Sequence, residues 1–339
     1  KILSIYGEYV MKLVLNTPGT YLSRRGDCFC IRTKEEENEI SARKVEQIIL
    51  TTQSAISTDA IELALSFQID IIILKYTGQP LARIWHPNIS NTNILRRKQL
   101  QLVQHPYGLK LVINWMSQKL YNQAHLLREL AVNRRDERKQ VIHEVIRIIE
   151  CNLESIKKLD SNTSIGEVRN NLLGYEGYAS RKYFETISFL LPKKYQFKGR
   201  SKRPSLDPFN CVLNYCYGML YATIENLCLL VGFDPYIGIM HTDQYNKKSF
   251  VFDLIERYRG LVDEFVVKLF TRRKIKQEFF DIQSDSEYLL NEIGKRFVIQ
   301  EYFKYAERRR RYKGKNLKLK DMIHYDLQLL AKDILEVNL

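Results

Sequence analysis

Apolar and polar positions change rhythm once along this chain. As far as about residue 86 the apolar residues come in short runs: MKLVLN (11–16), CFCIRT (28–33), VEQIIL (45–50) and IDIIIL (69–74). These runs are rich in β-branched side chains and separated by Gly, Pro, Asp or Glu, which predicts strands. One helix interrupts them. Ser57 or Thr58 can cap it, Asp59 suits its first turn, and Ile61, Leu63, Ala64, Leu65 and Phe67 supply an apolar side. YTGQP (76–80) reads as a hairpin turn into LARIW. Residues 87–93 are polar and without period, as a linker would be. Beyond them apolar residues recur three or four apart near 94–104, 107–133, 136–159, 164–191, 208–231, 249–270, 287–308 and 318–335, which predicts helices. The pattern is α+β: a β-rich domain over 11–86 and an all-α domain, about three times larger, over 94–339. Residues 1–10 read as a leader, either a tag or the end of an upstream fused domain, with Met11 a plausible natural start.

Composition narrows the class. With 339 residues and a 45% hydrophobic share, the chain can build large cores, and wholesale disorder or a fibrous repeat is excluded. Cys28, Cys30, Cys151, Cys211, Cys216 and Cys228 form no CxxC pair and read as buried apolar thiols in a reducing compartment. The longest apolar runs, such as 69–74, fall far short of a membrane span, and no signal peptide opens the chain. A cytoplasmic protein away from membranes is expected.

Charge carries more information once it is divided. The whole chain has 53 Lys+Arg against 39 Asp+Glu, a net +14, yet residues 11–92 hold nine of each sign. All of the excess lies in the helical half, as expected for a protein that binds a nucleic acid there. Two clusters are densest. PKKYQFKGRSKRP (192–204) mixes bases with aromatics and glycine, as a mobile phosphate-gripping loop would. Its candidate contacts are Lys193, Lys194, Lys198, Arg200, Lys202 and Arg203, with Tyr195 and Phe197 available for stacking. ERRRRYKGKNLKLK (307–320) either tracks a nucleic-acid backbone or is a disordered basic connector.

Three segments combine acids, small residues and histidine in ways that packing alone does not require. GYEGYASRKYF (174–184) flanks Glu176 with Gly174 and Gly177, as if something approached the backbone there; a tight helix crossing with an exposed Glu is the plainer alternative. GFDPYIGIMH (232–241) delivers His241 after a Pro- and Gly-containing loop. In SFVFDLIERYR (249–259), Asp253 and Glu256 are i,i+3 on one helix and share a face, with Arg257 beside it. One imidazole and two or three carboxylates suit a hard divalent cation, Mg²⁺ or Mn²⁺, the histidine favouring Mn²⁺ slightly. In a basic groove such an ion would act on a phosphodiester. No GxxxxGK[ST] loop, GxSxG elbow or HExxH pair offers another chemistry.

These three segments, in this order, resemble the CRISPR-associated Cas1 family of spacer-acquisition integrases and endonucleases. AISTDAIELALSFQIDIIILKYTGQPLARI (55–84) is similar to that family's β domain. The resemblance implies a β-sandwich ahead of an α-helical catalytic domain. It implies metal ligation by Glu176, His241 and Glu256, with Asp253 as a supporting acid; some members have Asp where this chain has Glu256. The implied reaction is metal-dependent transesterification, in which the 3′-hydroxyl of a DNA prespacer attacks a phosphodiester of the CRISPR repeat. The implied partners are double-stranded DNA, a second copy of the chain through the β domain, the small adaptation protein Cas2 and, in some members, a fused or associated reverse transcriptase. Two rivals stand beside it: a casposase, the integrase of a self-synthesising transposon, and a non-catalytic DNA-binding scaffold whose acids merely pair with Arg257 or Arg259.

Overall fold

A computed structural model describes residues 5–7, 10–67, 69–74, 80–84, 92–132, 134–241, 247–283 and 287–338. The strand-forming runs build β1 (Ile5–Gly7), β2 (Val10–Leu15), β3 (Thr20–Arg25), β4 (Cys28–Arg32), β5 (Glu37–Ser41), β6 (Val45–Leu50), β7 (Ser54–Ile56), β8 (Asp70–Leu74) and β9 (Pro80–Ile84), with α1 (Thr58–Ser66) between β7 and β8. They pair into a five-stranded sheet, β1-β2-β6-β8-β9, and a four-stranded one, β5-β4-β3-β7. Leu13, Leu15, Ile48 and Ile71 from the first sheet meet Leu22, Phe29 and Ile31 from the second in one core, with Ala60, Leu63 and Ala64 of α1. Each large apolar side chain buried there contributes about 1.5–3 kcal/mol. Ser57 caps α1, its hydroxyl accepting from the Ala60 N–H at 3.2 Å. Part of the segment read as a leader is β1, which pairs antiparallel with β2. The turn expected at 76–80 lies mostly outside the described residues, although the strands on either side of it, β8 and β9, do pair antiparallel.

Contacts divide the chain into two compact units, Lys1–Ile89 and Ser90–Leu339. The second contains α2 (Thr92–Leu102), α3 (Pro106–Ala131), α4 (Glu137–Lys157), α5 (Ile165–Leu190), α6 (Pro208–Val231), α7 (Ser249–Ile255) and α8 (Arg259–Thr271). After these come β10 (Phe280–Ile282), β11 (Tyr288–Leu290), α9 (Glu292–Ala306), β12 (Arg310–Tyr312), β13 (Lys315–Leu317) and α10 (Leu319–Glu336). The linker expected over 87–93 ends inside α2, and residues 85–91 lie outside the described residues. α6 shows how sequence sets a helix: Asp207 caps it by accepting from the Asn210 N–H at 2.7 Å, Pro208 opens it, and Gly232, at φ +104°, ends it.

Several expectations need correction. The helical unit is not all-α, since β10–β11 and β12–β13 are two small antiparallel hairpins. The continuous helix expected over 249–270 breaks at 256–258, where the chain tightens into i→i+3 bonds, Arg257 N–H to Leu254 O and Tyr258 N–H to Ile255 O. All three side chains of the break are held from elsewhere: Glu256 by Lys119 and Arg259, Arg257 and Tyr258 by Asp326 of α10. The helix expected over 287–308 begins only at Glu292, because 288–290 is spent on β11. The basic run 307–320 is no disordered connector: it forms β12–β13, turned at Lys313 and Gly314, both at positive φ.

The thiols also divide. Cys30, Cys211, Cys216 and Cys228 are buried, Cys28 is half-buried and, against expectation, Cys151 is exposed on α4. Burial pushes the Cys211 thiol up to about 12 and those of Cys216 and Cys228 up as well. Titration of the native protein with a thiol reagent is therefore expected to show one fast thiol, lost in Cys151→Ser. Three or more fast thiols would contradict this packing.

Candidate active site

The site begins with a turn that one carboxylate holds together. From Gly232 the chain runs over residues 233–241 against the start of α7. The approach is so close that a Cβ on Gly238 would stand 2.5 Å from Ser249 Cβ and 2.8 Å from the His241 carbonyl oxygen. Asp253 of α7, 1% exposed, points into this turn. Its Oδ2 accepts from the N–H groups of Ile239 at 2.6 Å and Met240 at 3.0 Å. Its Oδ1 accepts from the His241 N–H at 3.1 Å and lies 2.5 Å from His241 Nδ1. A carboxylate beside Nδ1 draws the ring proton there and leaves Nε2 as the lone-pair nitrogen.

Three residues after Asp253, Glu256 is 5% exposed. Its Oε1 accepts from Arg259 Nε at 2.8 Å, and Lys119 Nζ lies 2.6 Å from its Oε2. Burial would raise this carboxyl, but Arg259 and Lys119 outweigh it and hold it at about 2. For Lys119, burial pulls the ammonium down, and Glu256 with Glu176 more than restores it. The same ammonium pairs with Glu176 Oε1, which also accepts from Ser180 Oγ at 2.6 Å; Gln123 Nε2 in turn donates to Ser180 Oγ at 3.1 Å. Arg259 continues to Tyr221 OH at 3.0 Å and lies over the Tyr217 ring. Below, the buried Asp263 accepts from Tyr217 and Tyr183, and desolvation raises its carboxyl.

Packing between α3 and α8 sets this geometry. Gly260 approaches Asn122 so closely that a Cβ there would meet Asn122 Cβ at 2.7 Å. Asn122 Nδ2 donates to Arg257 O at 3.2 Å, so α3 is pinned beside the 256–258 break. Lys119, just before Asn122 on that helix, is thereby brought against Glu256. The glycines near Glu176 play no such part: a Cβ on Gly174 or Gly177 would meet nothing within 4 Å, so the close neighbour expected there is absent among the described residues.

Glu176, His241 and Glu256 all line one cavity of about 260 Å³, together with Lys119, Arg259 and Asp263. Asp253 sits behind His241 and not on the wall. Of the candidate phosphate contacts, Arg200 and Lys202 line the same cavity, and Lys202 also lines a neighbouring one of about 310 Å³ with Arg203, Lys295, Tyr215 and Tyr288. Lys193, Lys194 and Lys198 are exposed and reach neither.

The loop at 192–204 is tied down, not free. Ser188 Oγ donates to Phe197 O at 2.6 Å, and Asn210 and Asn214 donate to the carbonyls of Gly199, Ser201 and Lys202. Arg200 turns inward onto Asn210 and Asn214. Tyr195 is buried against Phe270 and Phe197 stacks on Phe209, so neither aromatic is available to a base. The β12–β13 hairpin is fixed as well: Asp326 accepts from Tyr312 OH at 2.7 Å and Lys313 Nζ at 2.9 Å, while Arg308, Arg309 and Arg311 stay exposed.

The donor set fits a hard divalent cation. It offers two carboxylates and one imidazole nitrogen, and the buried Glu256 Oε2 has the Lys119 ammonium 2.6 Å away. As the side chains stand, no group of three His, Cys, Asp or Glu among the described residues closes around one point. The ammonium of Lys119 takes the place between the two carboxylates.

Comparison with known proteins shows the family. The sequence model of the family described as CRISPR associated protein Cas1 matches residues 13–304. The chain belongs to the Cas1 family. A CRISPR-associated endonuclease Cas1 of Archaeoglobus fulgidus is 30% identical over 324 residues, covering 92% of this chain and 93% of the relative. Among solved structures, a casposase bound to integration product has a TM-score of 0.73 at 22% identity, covering 96% of this chain and 90% of that one. A Cas1 protein from Thermotoga maritima has 0.72 at 20%, covering 97% and 98%. A Cas6-RT-Cas1–Cas2 complex has 0.68 at 21%, covering 97% of this chain and 35% of that one. These likenesses confirm the fold: β sheets first, then a mostly helical unit.

In this Cas1-family chain Glu176, His241 and Glu256 line one cavity, as the resemblance implied, but their electrostatic partners were out of view. Lys119, Gln123, Ser180 and Asp263 carry no local signal; Lys119 is an ordinary polar position of a long amphipathic helix, 57 residues from Glu176. Arg257 turns away to Asp326 and Tyr312, so the cation beside Glu256 is Arg259. Asp253→Asn removes the charge that gathers three backbone N–H groups and a ring nitrogen. It is expected to destabilise the helical unit by about 3 kcal/mol in urea unfolding; a loss under about 1 kcal/mol would contradict the role given to this carboxylate.

Proposed function

We propose that this Cas1-family chain is a metal-dependent DNA integrase and endonuclease that inserts prespacer DNA into a CRISPR array by 3′-hydroxyl transesterification. One observation carries the reading: Glu176, His241 and Glu256 line a single cavity that Lys119, Arg200, Lys202 and Arg259 line as well. These three would hold Mg²⁺ or Mn²⁺, and Asp253 fixes the imidazole that one of them supplies. When bound, the ion supplies Lewis acidity at the scissile phosphate and at the attacking oxygen. The chain's own part is positioning. Arg259 keeps Glu256 ionised, and Arg200 and Lys202 make the wall attractive to a phosphodiester. The exposed Lys193, Lys194 and Lys198, with Arg203 at the second cavity, extend that attraction outward as backbone contacts.

The β unit suits a protein-facing role, since its charges cancel and pair among themselves, as Arg25 does with Glu37 and Glu39. We extend to it the homodimer contact and the Cas2 partnership, supported by the fold shared with the Cas1–Cas2 assembly; association with a reverse transcriptase rests on the same likeness. The casposase likeness favours one second reading, integration of transposon ends.

The test is strand transfer of a fluorescent prespacer into a supercoiled plasmid carrying a CRISPR repeat, with a terminal-inverted-repeat substrate as the second arm and Mn²⁺, Mg²⁺ or EDTA present. Joining at the repeat, abolished by EDTA, is expected. His241→Ala and Glu176→Ala each lower it more than about 100-fold while duplex binding changes less than about threefold. Joining by His241→Ala at the wild-type rate would remove the site assignment, and joining undiminished by EDTA would favour a site that needs no metal.

A further inference from the structure

The residue that does most to organise the two carboxylates is itself a cation. Lys119 Nζ reaches Glu176 Oε1 and Glu256 Oε2 together, with a side chain only 12% exposed. A divalent ion held by the same two carboxylates would need the volume this ammonium fills. The side chain cannot leave the neighbourhood, because α3 is pinned at Asn122 by its contact with Gly260 and its bond to Arg257 O. Displaced from the two carboxylates, it would have the cavity it already lines to move into. There its charge stands beside the ion, with Arg259, Arg200 and Lys202 on the same wall. Like charges at such range in a partly desolvated cavity repel strongly. An anionic phosphodiester entering the cavity would neutralise both.

We propose that Lys119 is a tethered competitor for the metal site that makes ion binding and DNA binding depend on each other. In the absence of DNA the ammonium serves as the counter-ion of Glu176 and Glu256, and divalent-ion affinity is held down. When a phosphodiester arrives, the displaced ammonium gains an anionic partner and the ion gains its place. Linkage makes the effect reciprocal: DNA tightens the ion by the factor by which the ion tightens DNA. The device would keep a nuclease-capable centre unloaded until a substrate phosphate is present. It rests on the metal reading proposed above and adds to it a positioning residue with a stated direction of effect.

The measurement is a Mn²⁺ titration followed by electron paramagnetic resonance, with and without a duplex ending in dideoxynucleotides, so that no joining occurs. For the wild type, the duplex is expected to tighten Mn²⁺ about tenfold or more. Lys119→Met is expected to bind Mn²⁺ about tenfold tighter than wild type without DNA, and the tightening by duplex is expected to shrink towards none. Its melting temperature should fall without metal and recover with Mn²⁺ by more than the wild type gains, since Glu176 has lost its cation and Glu256 one of its two. Wild-type Mn²⁺ affinity unchanged by duplex would overturn the inference, and that titration decides the matter alone if the methionine variant does not fold. Equal affinities and equal coupling in the two proteins would overturn it too. Absence of Mn²⁺ binding in the wild type, or binding that His241→Ala leaves intact, would instead overturn the metal reading and this inference with it.

Discussion

Glu256 is a carboxylate in the protein interior, and everything near the site is arranged so that it can stay ionised there. Desolvating a lone carboxylate is prohibitive; it would take up a proton instead. Arg259 and Lys119 prevent this, one through Oε1 and one beside Oε2. Each of them comes from a different helix, so the charge cluster also fixes how α3, α8 and the 256–258 break meet. The break follows from this arrangement. A continuous helix would satisfy its own backbone, but Glu256, Arg257 and Tyr258 are each claimed by a partner on another element.

Around this buried pair the charges fall into layers. Acids with backbone or side-chain partners lie deepest: Asp253 against the 239–241 turn, Asp263 under Tyr217 and Tyr183, Asp326 under the hairpin. Lys119 and Arg259, which hold Glu256, come next, and exposed cations such as Arg309 and Arg311 lie outermost. Such an ordering separates two uses of positive charge that composition adds together. Some of the 53 Lys and Arg side chains hold buried carboxylates, and others, such as Arg309 and Arg311, remain exposed.

Much of the architecture was legible because it rests on local periodicity. The strands at 28–32 and 45–50, the Ser57 cap and the extent of α6 all follow from residue type and spacing. The gathering of Glu176, His241, Asp253 and Glu256 was implied by the resemblance of their motifs to one family, not by local pattern. What could not be read depends on distant partners. Lys119 looks like any polar residue of an amphipathic helix until α5 and α7 pack against α3. Tyr195 and Phe197 looked available because they sit among lysines, and only the fold reveals Phe270 and Phe209 beneath them. The helix break and the two hairpins fail for the same reason: short segments yield to tertiary contacts that outweigh their own propensity.

The central claim is that Glu176, His241 and Glu256 hold one divalent ion in the place now taken by the Lys119 ammonium. Anomalous X-ray scattering from crystals grown with Mn²⁺ and a non-reactive duplex tests it most directly. A single strong manganese peak within coordinating distance of His241 Nε2 and of an oxygen from each glutamate, with Lys119 turned to a phosphate, is the predicted result. Lys119 still bridging the two glutamates, with manganese bound elsewhere or not at all, would contradict the account.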